Sequence, residues 1–438
     1  MTIFALDLND SGLRLFRDLE VAAESPGFAI VTQSQLLLGD AARREFRLHP
    51  RQANNQFWHR LSMDPLAMRG PNVANHADLV YRHLKELLDE AAFESDDELI
   101  LAVAGTTTSD QLGLLLGVAQ ELNTPITGLV DSAVAASIAH PVPNRSVHID
   151  VSLHCATLTT MEADTELARR STADVAELGL SSLLDAWVNV IADRFVTETR
   201  FDPLRIAETE QQLYDRIYLW AEEGAHLAEL TIEIEHQGSV RRTGVSAKAL
   251  VEKARLRYRL LDRVLDEGTS CILSHRAAKL PGLSEYLLAS GHAVTQLEPN
   301  DVIAGIRRHL DLIRSGADAL RFVTRLPCAT GTDAPASSLP RAAPTHVVFD
   351  GVGIAIGDGL TLTAQTFADR ELGPEFPDGQ IQLLNTTEGL VVRARSGTDL
   401  RLNDDPPDAL EERRALRRGD VLRIGEHALL LIRVDDGA

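Results

Sequence analysis

The sequence predicts an α/β body of two similar halves, followed by a small all-β sandwich. Three observations carry this reading. A strand–turn–strand unit occurs twice, at 2–19 and at 146–161. Helical and strand-like apolar periods alternate between and after these units. A proline-rich stretch, 327–344, then precedes seven short runs of strand character.

The elements follow in order. TIFALDL (2–8) and GLRLFRDL (12–19) form a hairpin-like pair around the turn residues Asn9, Asp10 and Ser11. HADLVYRHLKELLDEAAF (76–93) has helical spacing and leads into the buried-strand run ELILAVAG (98–105). A helix over 110–122, a strand ITGLV (126–130) and a small-residue helix DSAVAASIAH (131–140) come next, the last suited to close packing. SVHIDVSLHCATLTTM (146–161) repeats the opening unit. Helices over 179–199, 209–229 and 246–267 then surround the alternating pair 231–246. The body closes with strand CILS (271–274), helix 281–291, strand AVTQL (293–297) and helix 299–314, with Pro299 near its first turn.

At 438 residues the chain exceeds one compact core, so two or three domains are expected. The stretch 327–344 holds four prolines and almost nothing large and apolar, which predicts a flexible linker between a body (1–326) and a tail (345–438). Hydrophobic content of 44% with 24% charged residues is that of a soluble globular protein. The net charge of −21, from 64 acidic and 43 basic residues, argues against nucleic acid or an anionic membrane as partner. Four of the basic residues are lysines (Lys85, Lys248, Lys253 and Lys279), none near the early segments. Cys155, Cys271 and Cys328 are too scattered for a disulfide framework or a zinc site. With no apolar leader and no apolar run of about 18 residues, a cytoplasmic protein is expected.

Five segments fall in the order and spacing of one family: FALDLNDSGLRLF (4–16), LLLGDAARREFRLHP (36–50), GLVDSAVAASIAH (128–140), SVHIDVSLHCATLTT (146–160) and CILSHRAAKLPGLSEYL (271–287). The body resembles the ATPase domain of DnaK-type heat-shock chaperones, within the actin and sugar-kinase superfamily. The resemblance implies a duplicated actin-like ATPase fold, two lobes around a cleft, with phosphate loops after the first strand of each half.

The loops themselves depart from the family. The first, Asp-Leu-Gly-Thr-Thr in the family, is Asp7-Leu8-Asn9-Asp10-Ser11. The second, Asp-Leu-Gly-Gly-Gly-Thr, is Asp150-Val151-Ser152-Leu153-His154-Cys155. Phosphate approaches backbone amides only where no Cβ intrudes, so these glycines matter. The family's Lys-Arg-Leu is His59-Arg60-Leu61, its connecting Glu-Pro-Thr is Asp131-Ser132-Ala133, and its adenosine motif has become Ser274 to Pro281 without glycine. Asp7, Ser11, Asp131 and Asp150 would mark a relic nucleotide cleft, with Asp7 facing Asp150 and with Asn9, Leu153 and His154 crowding the phosphate space. No catalytic residue and no cofactor are expected, ATP with magnesium being the alternative. His148 and His154 lack partners at metal-ligand spacing.

The tail resembles a forkhead-associated domain, a phosphothreonine reader, through DLRLNDD (399–405) with Asn403, and through ALRRGDVLRIGEHALLLIRV (415–434). The family's early Gly-Arg is Gly357-Asp358 here, which removes a phosphate-facing donor. Together these features predict a pseudo-ATPase that acts as a scaffold or regulatory module for protein partners. A weakly active or nucleotide-binding DnaK-like ATPase is the alternative.

Overall fold

In the computed structural model the described residues are 2–222, 229–315 and 320–328, and in the tail 344–349, 352–357, 359–362, 381–386, 389–394, 400–402, 416, 421–424 and 427–432. Most of the expected linker (329–343), Asp358 and Asn403 lie outside them. The chain divides into two compact units, Met1–Thr330 and Gly331–Ala438.

The first unit is α/β and is built on two six-stranded sheets. In one, strands Ile126–Asp131, Glu98–Val103, Ile3–Leu8, Leu13–Arg17 and Glu20–Ser25 lie side by side in that order. The two pairings on the hairpin side are antiparallel and the other two are parallel, so Ile3–Leu8 is antiparallel to Leu13–Arg17 and parallel to Glu98–Val103. In the other sheet the order is Ala293–Gln296, Ser270–Leu273, Arg145–Val151, Ala156–Ala163 and Glu166–Val175, with the same orientations. Five strands thus follow one arrangement twice. Leu99 to Val103 are buried without interruption, as a parallel strand covered on both faces requires.

One short segment then joins both sheets. Phe322–Val323 pairs with Leu129 and Val130 of the first, and Arg325–Pro327 pairs with Glu166 to Ala168 of the second. Pro327, expected to open the linker, is therefore a strand residue, and Cys328 still donates its N–H to Thr165 O at 2.9 Å. The fully buried Leu326 anchors this segment.

Helices cover the sheets. The small-residue helix Ser132–Ser137 is buried along its whole length and packs against Asp301–Arg308. Gly305 makes that approach feasible, since a Cβ there would stand 1.8 Å from Ala135 O. Several expected helices are shorter than read, and two differ most. The one over 246–267 is helical over Ala247–Tyr258 and continues as a 3-10 turn, Leu261–Arg263. The one over 299–314 breaks where His309 leaves helical geometry (φ −117°, ψ 24°), giving Asp301–Arg308 and Leu310–Ile313. Pro299 lies just outside the first of these, and its carbonyl accepts from Arg14 Nη1 at 2.6 Å. Among the described residues no helix is long and apolar enough to cross a membrane.

The described tail residues form eight strands in a five-stranded and a three-stranded sheet. The run read as one strand at its start is a hairpin, His346–Phe349 with Val352–Ala355. Val347, Leu422, Leu429 and Leu431 of the larger sheet share one buried cluster with Leu362, Ile381, Leu383 and Leu390 of the smaller. That common core is the mark of a sandwich.

Candidate functional site

The two repeated hairpin turns meet each other in the first unit. Asn9 Oδ1 accepts the N–H of Ser11 at 3.0 Å and its hydroxyl at 2.8 Å, which fixes a tight turn after Ile3–Leu8. In the second turn Ser152 Oγ accepts from Cys155 N at 3.2 Å, while Ser152 N donates to Cys155 O at 2.9 Å. Asn9 Nδ2 then donates across to Asp150 Oδ2 at 2.8 Å and to Val151 O at 3.2 Å. Ser11 Oγ reaches Val151 O at 3.3 Å, and Leu153 N–H donates to Asp10 Oδ1 at 2.7 Å. These contacts bond one turn to the other.

Leu153 and His154 also pack against the segment that follows the first hairpin. Leu153 is fully buried in a cluster with Phe28, Ile30 and Ala42. His154 Nε2 donates to Asn55 O at 2.7 Å, and its ring lies 5.5 Å from that of His59.

The sequence reading missed the residue at the centre of the site. Ser274 caps the short helix His275–Ala278 by accepting from Ala277 N, and it donates to Asp150 Oδ1 at 2.6 Å. That cap aims Arg276 between the two aspartates. Its Nη2 lies 2.8 Å from Asp7 Oδ2 and 2.9 Å from Gly12 O, and its Nη1 lies 3.9 Å from Asp150 Oδ2. Asp7 is 2% exposed and the Arg276 side chain 11%. Burial pulls the Arg276 pKa down, but Asp7 and Asp150 outweigh it and hold the guanidinium above its ordinary value. The signal available in the sequence was an arginine within the glycine-free run Ser274 to Pro281.

Of the four marked residues, the structure gathers Asp7, Ser11 and Asp150. Asp131 has other partners. It is fully buried, caps Ser132–Ser137 by accepting from Ala133 N and Val134 N, and its Oδ2 lies 2.7 Å from Arg169 Nη1. Burial raises its pKa against the pull of Arg169. Asp10 differs from all three. Burial is the largest influence on it and raises its pKa, against the Leu153 N–H, and Asp10 Oδ2 has no hydrogen-bond partner. His148 is buried near the same cluster, its Nε2 also lacks a partner, and burial lowers its pKa.

Two cavities flank the clamp. One, of about 180 Å³, is walled by Trp58, His59, Val103, Leu115 and the two turns. The other, of about 300 Å³, lies between segment 39–48 and helices Leu180–Thr199 and Ala207–Glu222. A latch spans this second space. Arg47 Nη2 lies 2.9 Å from Asp185 and its guanidinium 3.7 Å from the Tyr214 ring centroid. Gln211 accepts from Arg47 N at 2.8 Å and donates to Arg43 O at 3.1 Å. Around Arg276 itself the free volume is about 10 Å³, too little for a phosphate.

Chemically, the arrangement neutralises acids with guanidinium groups. A magnesium–phosphate group between Asp7 and Asp150 would have to displace both Arg276 and the Asn9 amide, so the residues present do not fit it. Among the described residues no group of three or more His, Cys, Asp or Glu side chains is placed to hold a metal ion. No protein-family model matches the chain, and no curated protein matches it.

Proposed function

We propose that the body is an actin-like, DnaK-type pseudo-ATPase and that the chain acts as a cytoplasmic scaffold or regulatory module for protein partners. The observation that carries this reading is Arg276, buried between Asp7 and Asp150 while Asn9 bonds across the same gap. The repeated five-strand order supports the actin-like fold, in which two equivalent sheets flank a cleft. The closed packing of the turns supports loss of phosphate handling. The tail, read as forkhead-associated-like, serves as a docking sandwich that works without phosphothreonine, since Gly357-Asp358 stands where the family has Gly-Arg.

The test is a thermal-shift titration with Mg-ATP alongside a turnover assay on the full chain. A ligand stabilises in proportion to its occupancy, so millimolar Mg-ATP should leave Tm unchanged and turnover should stay at background. A saturable upward shift would revive the competing reading, a nucleotide-binding DnaK-like ATPase. A pull-down repeated after phosphatase treatment addresses the tail: partner capture should survive, and its loss would make the sandwich a phosphothreonine reader.

A further inference from the structure

The cavity of about 180 Å³ beside the clamp has a charge pattern opposite to that of a phosphate site. Its lining includes Asp10, Asp150 and Asp174 together with His59, and no lysine or arginine is among the lining residues. Asp150 is already compensated by Arg276 and Asn9. Asp174 is exposed and accepts one hydrogen bond, from Thr157 Oγ1 at 2.7 Å. Asp10 is 5% exposed, and its Oδ2 has no donor. A buried carboxyl oxygen without a partner carries an unrelieved desolvation penalty, which the N–H of a ligand can offset.

Cys155 lines this cavity, and burial foremost, opposed by Ser152 and aided by Asp174 and Asp10, pushes its pKa up to about 11. The rest of the wall combines the apolar Trp58, Leu61, Val103 and Leu115 with polar side chains such as Thr106 and Gln111. Trp58 spends its indole N–H on His83 Nδ1 at 2.9 Å, so what it can offer a ligand is its ring surface. Carboxyl oxygens set against an indole ring favour organic ammonium and guanidinium groups.

We propose that this cavity binds a small free organic cation of the amine or guanidine class and rejects phosphate. The inference goes beyond the pseudo-ATPase reading and stands or falls separately from it. It is tested by calorimetric titration of the full chain with agmatine, with inorganic pyrophosphate as the anionic control. A salt concentration of about 0.15 M screens diffuse attraction to the net charge of −21. Agmatine should bind at a single saturable site and change a fluorescence signal that Trp58→Phe removes. Asp10→Asn keeps an acceptor for Leu153 N–H, and it should weaken binding on the order of tenfold with the fold intact by Tm. Leu115→Trp, which fills the cavity, should abolish binding. Absence of agmatine binding at millimolar concentration overturns the proposal. So does binding at many sites, binding indifferent to Asp10→Asn, or a pyrophosphate isotherm. A Mg-ATP arm keeps the two readings apart, because nucleotide binding would sink the pseudo-ATPase reading while leaving the agmatine result to be judged by itself.

Discussion

Replacing Arg276 by alanine is the sharpest perturbation of the clamp. The change leaves Asp7, 2% exposed, without the guanidinium 2.8 Å away, and it removes the charge facing Asp150. Removing one member of a buried ion pair destabilises by about 3–5 kcal/mol, because the remaining charge stays desolvated. For the unit Met1–Thr330, an unfolding entropy of about 2.1 cal/mol/K per residue gives about 0.7 kcal/mol/K. Tm should then fall by about 4–7 °C if the unit unfolds cooperatively. Circular dichroism melts of the parent, Arg276→Ala, Asp7→Asn and the double variant measure this. The double variant should fall short of the summed single losses by about 1–3 kcal/mol, the signature of direct contact. Arg276→Lys should recover part of the loss, since it restores charge but not the two-pronged geometry. A loss under about 1 kcal/mol, the value of an exposed pair, or strict additivity would refute the clamp.

Four further outcomes follow from packing and charge. Gly305→Ala should destabilise by about 3 kcal/mol or more in a denaturant titration, because its Cβ would meet Ala135 O at 1.8 Å. Gly113→Ala, on the helix Ser109–Glu121 with no atom within 4 Å, should instead stabilise by about 0.5–1 kcal/mol. His83 is buried, accepts from Trp58 and is held by burial at a pKa of about 3, against 6.5 for the free group. The unfolded chain therefore binds a proton that the folded one refuses, so stability should decline as pH falls from about 6.5 toward about 3, and His83→Gln should flatten that slope in acid titrations. Arg47→Ala removes partly exposed contacts to Asp185 and Tyr214, so its stability loss should stay near 1 kcal/mol. Hydrogen exchange should nevertheless speed up across 39–48 and leave Glu98–Val103 protected.

Much of the fold was legible because it is local. Alternation around Asn9–Ser11 and around Ser152–Cys155 set both hairpins, and the apolar run from Leu99 to Val103 marked a strand covered on both faces. Helix ends were harder. Nothing in RRHLDLIR announces that His309 leaves helical geometry, and Pro327 looked like the start of a linker although Leu326 beside it is fully buried. The site was legible in its acids and illegible in their partners. Arg276 lies 269 positions from Asp7, and no spacing rule relates them. Asp131 stood in the same motif frame as Asp7 and Asp150, yet its neutralising partner is Arg169, 38 positions away on another strand.

Those partnerships change what the aspartates need. An acidic side chain at a strand end in an actin-like frame reads first as a holder of metal-bound water. Here Asp7 and Asp150 meet Arg276, and Asp131 meets Arg169 and two helix N–H groups. Each carboxylate has a fixed donor set inside the protein, so its presence follows from stability alone and requires no nucleotide. Lysine could not do the same work at Arg276, where a planar fork reaches Asp7, Gly12 O and Asp150 at once. Among the described residues the buried carboxyl oxygen without a hydrogen-bond partner is Asp10 Oδ2. Ligand-directed chemistry in this region is therefore to be sought at Asp10 and the cavity beside it, rather than at Asp7, Asp131 and Asp150.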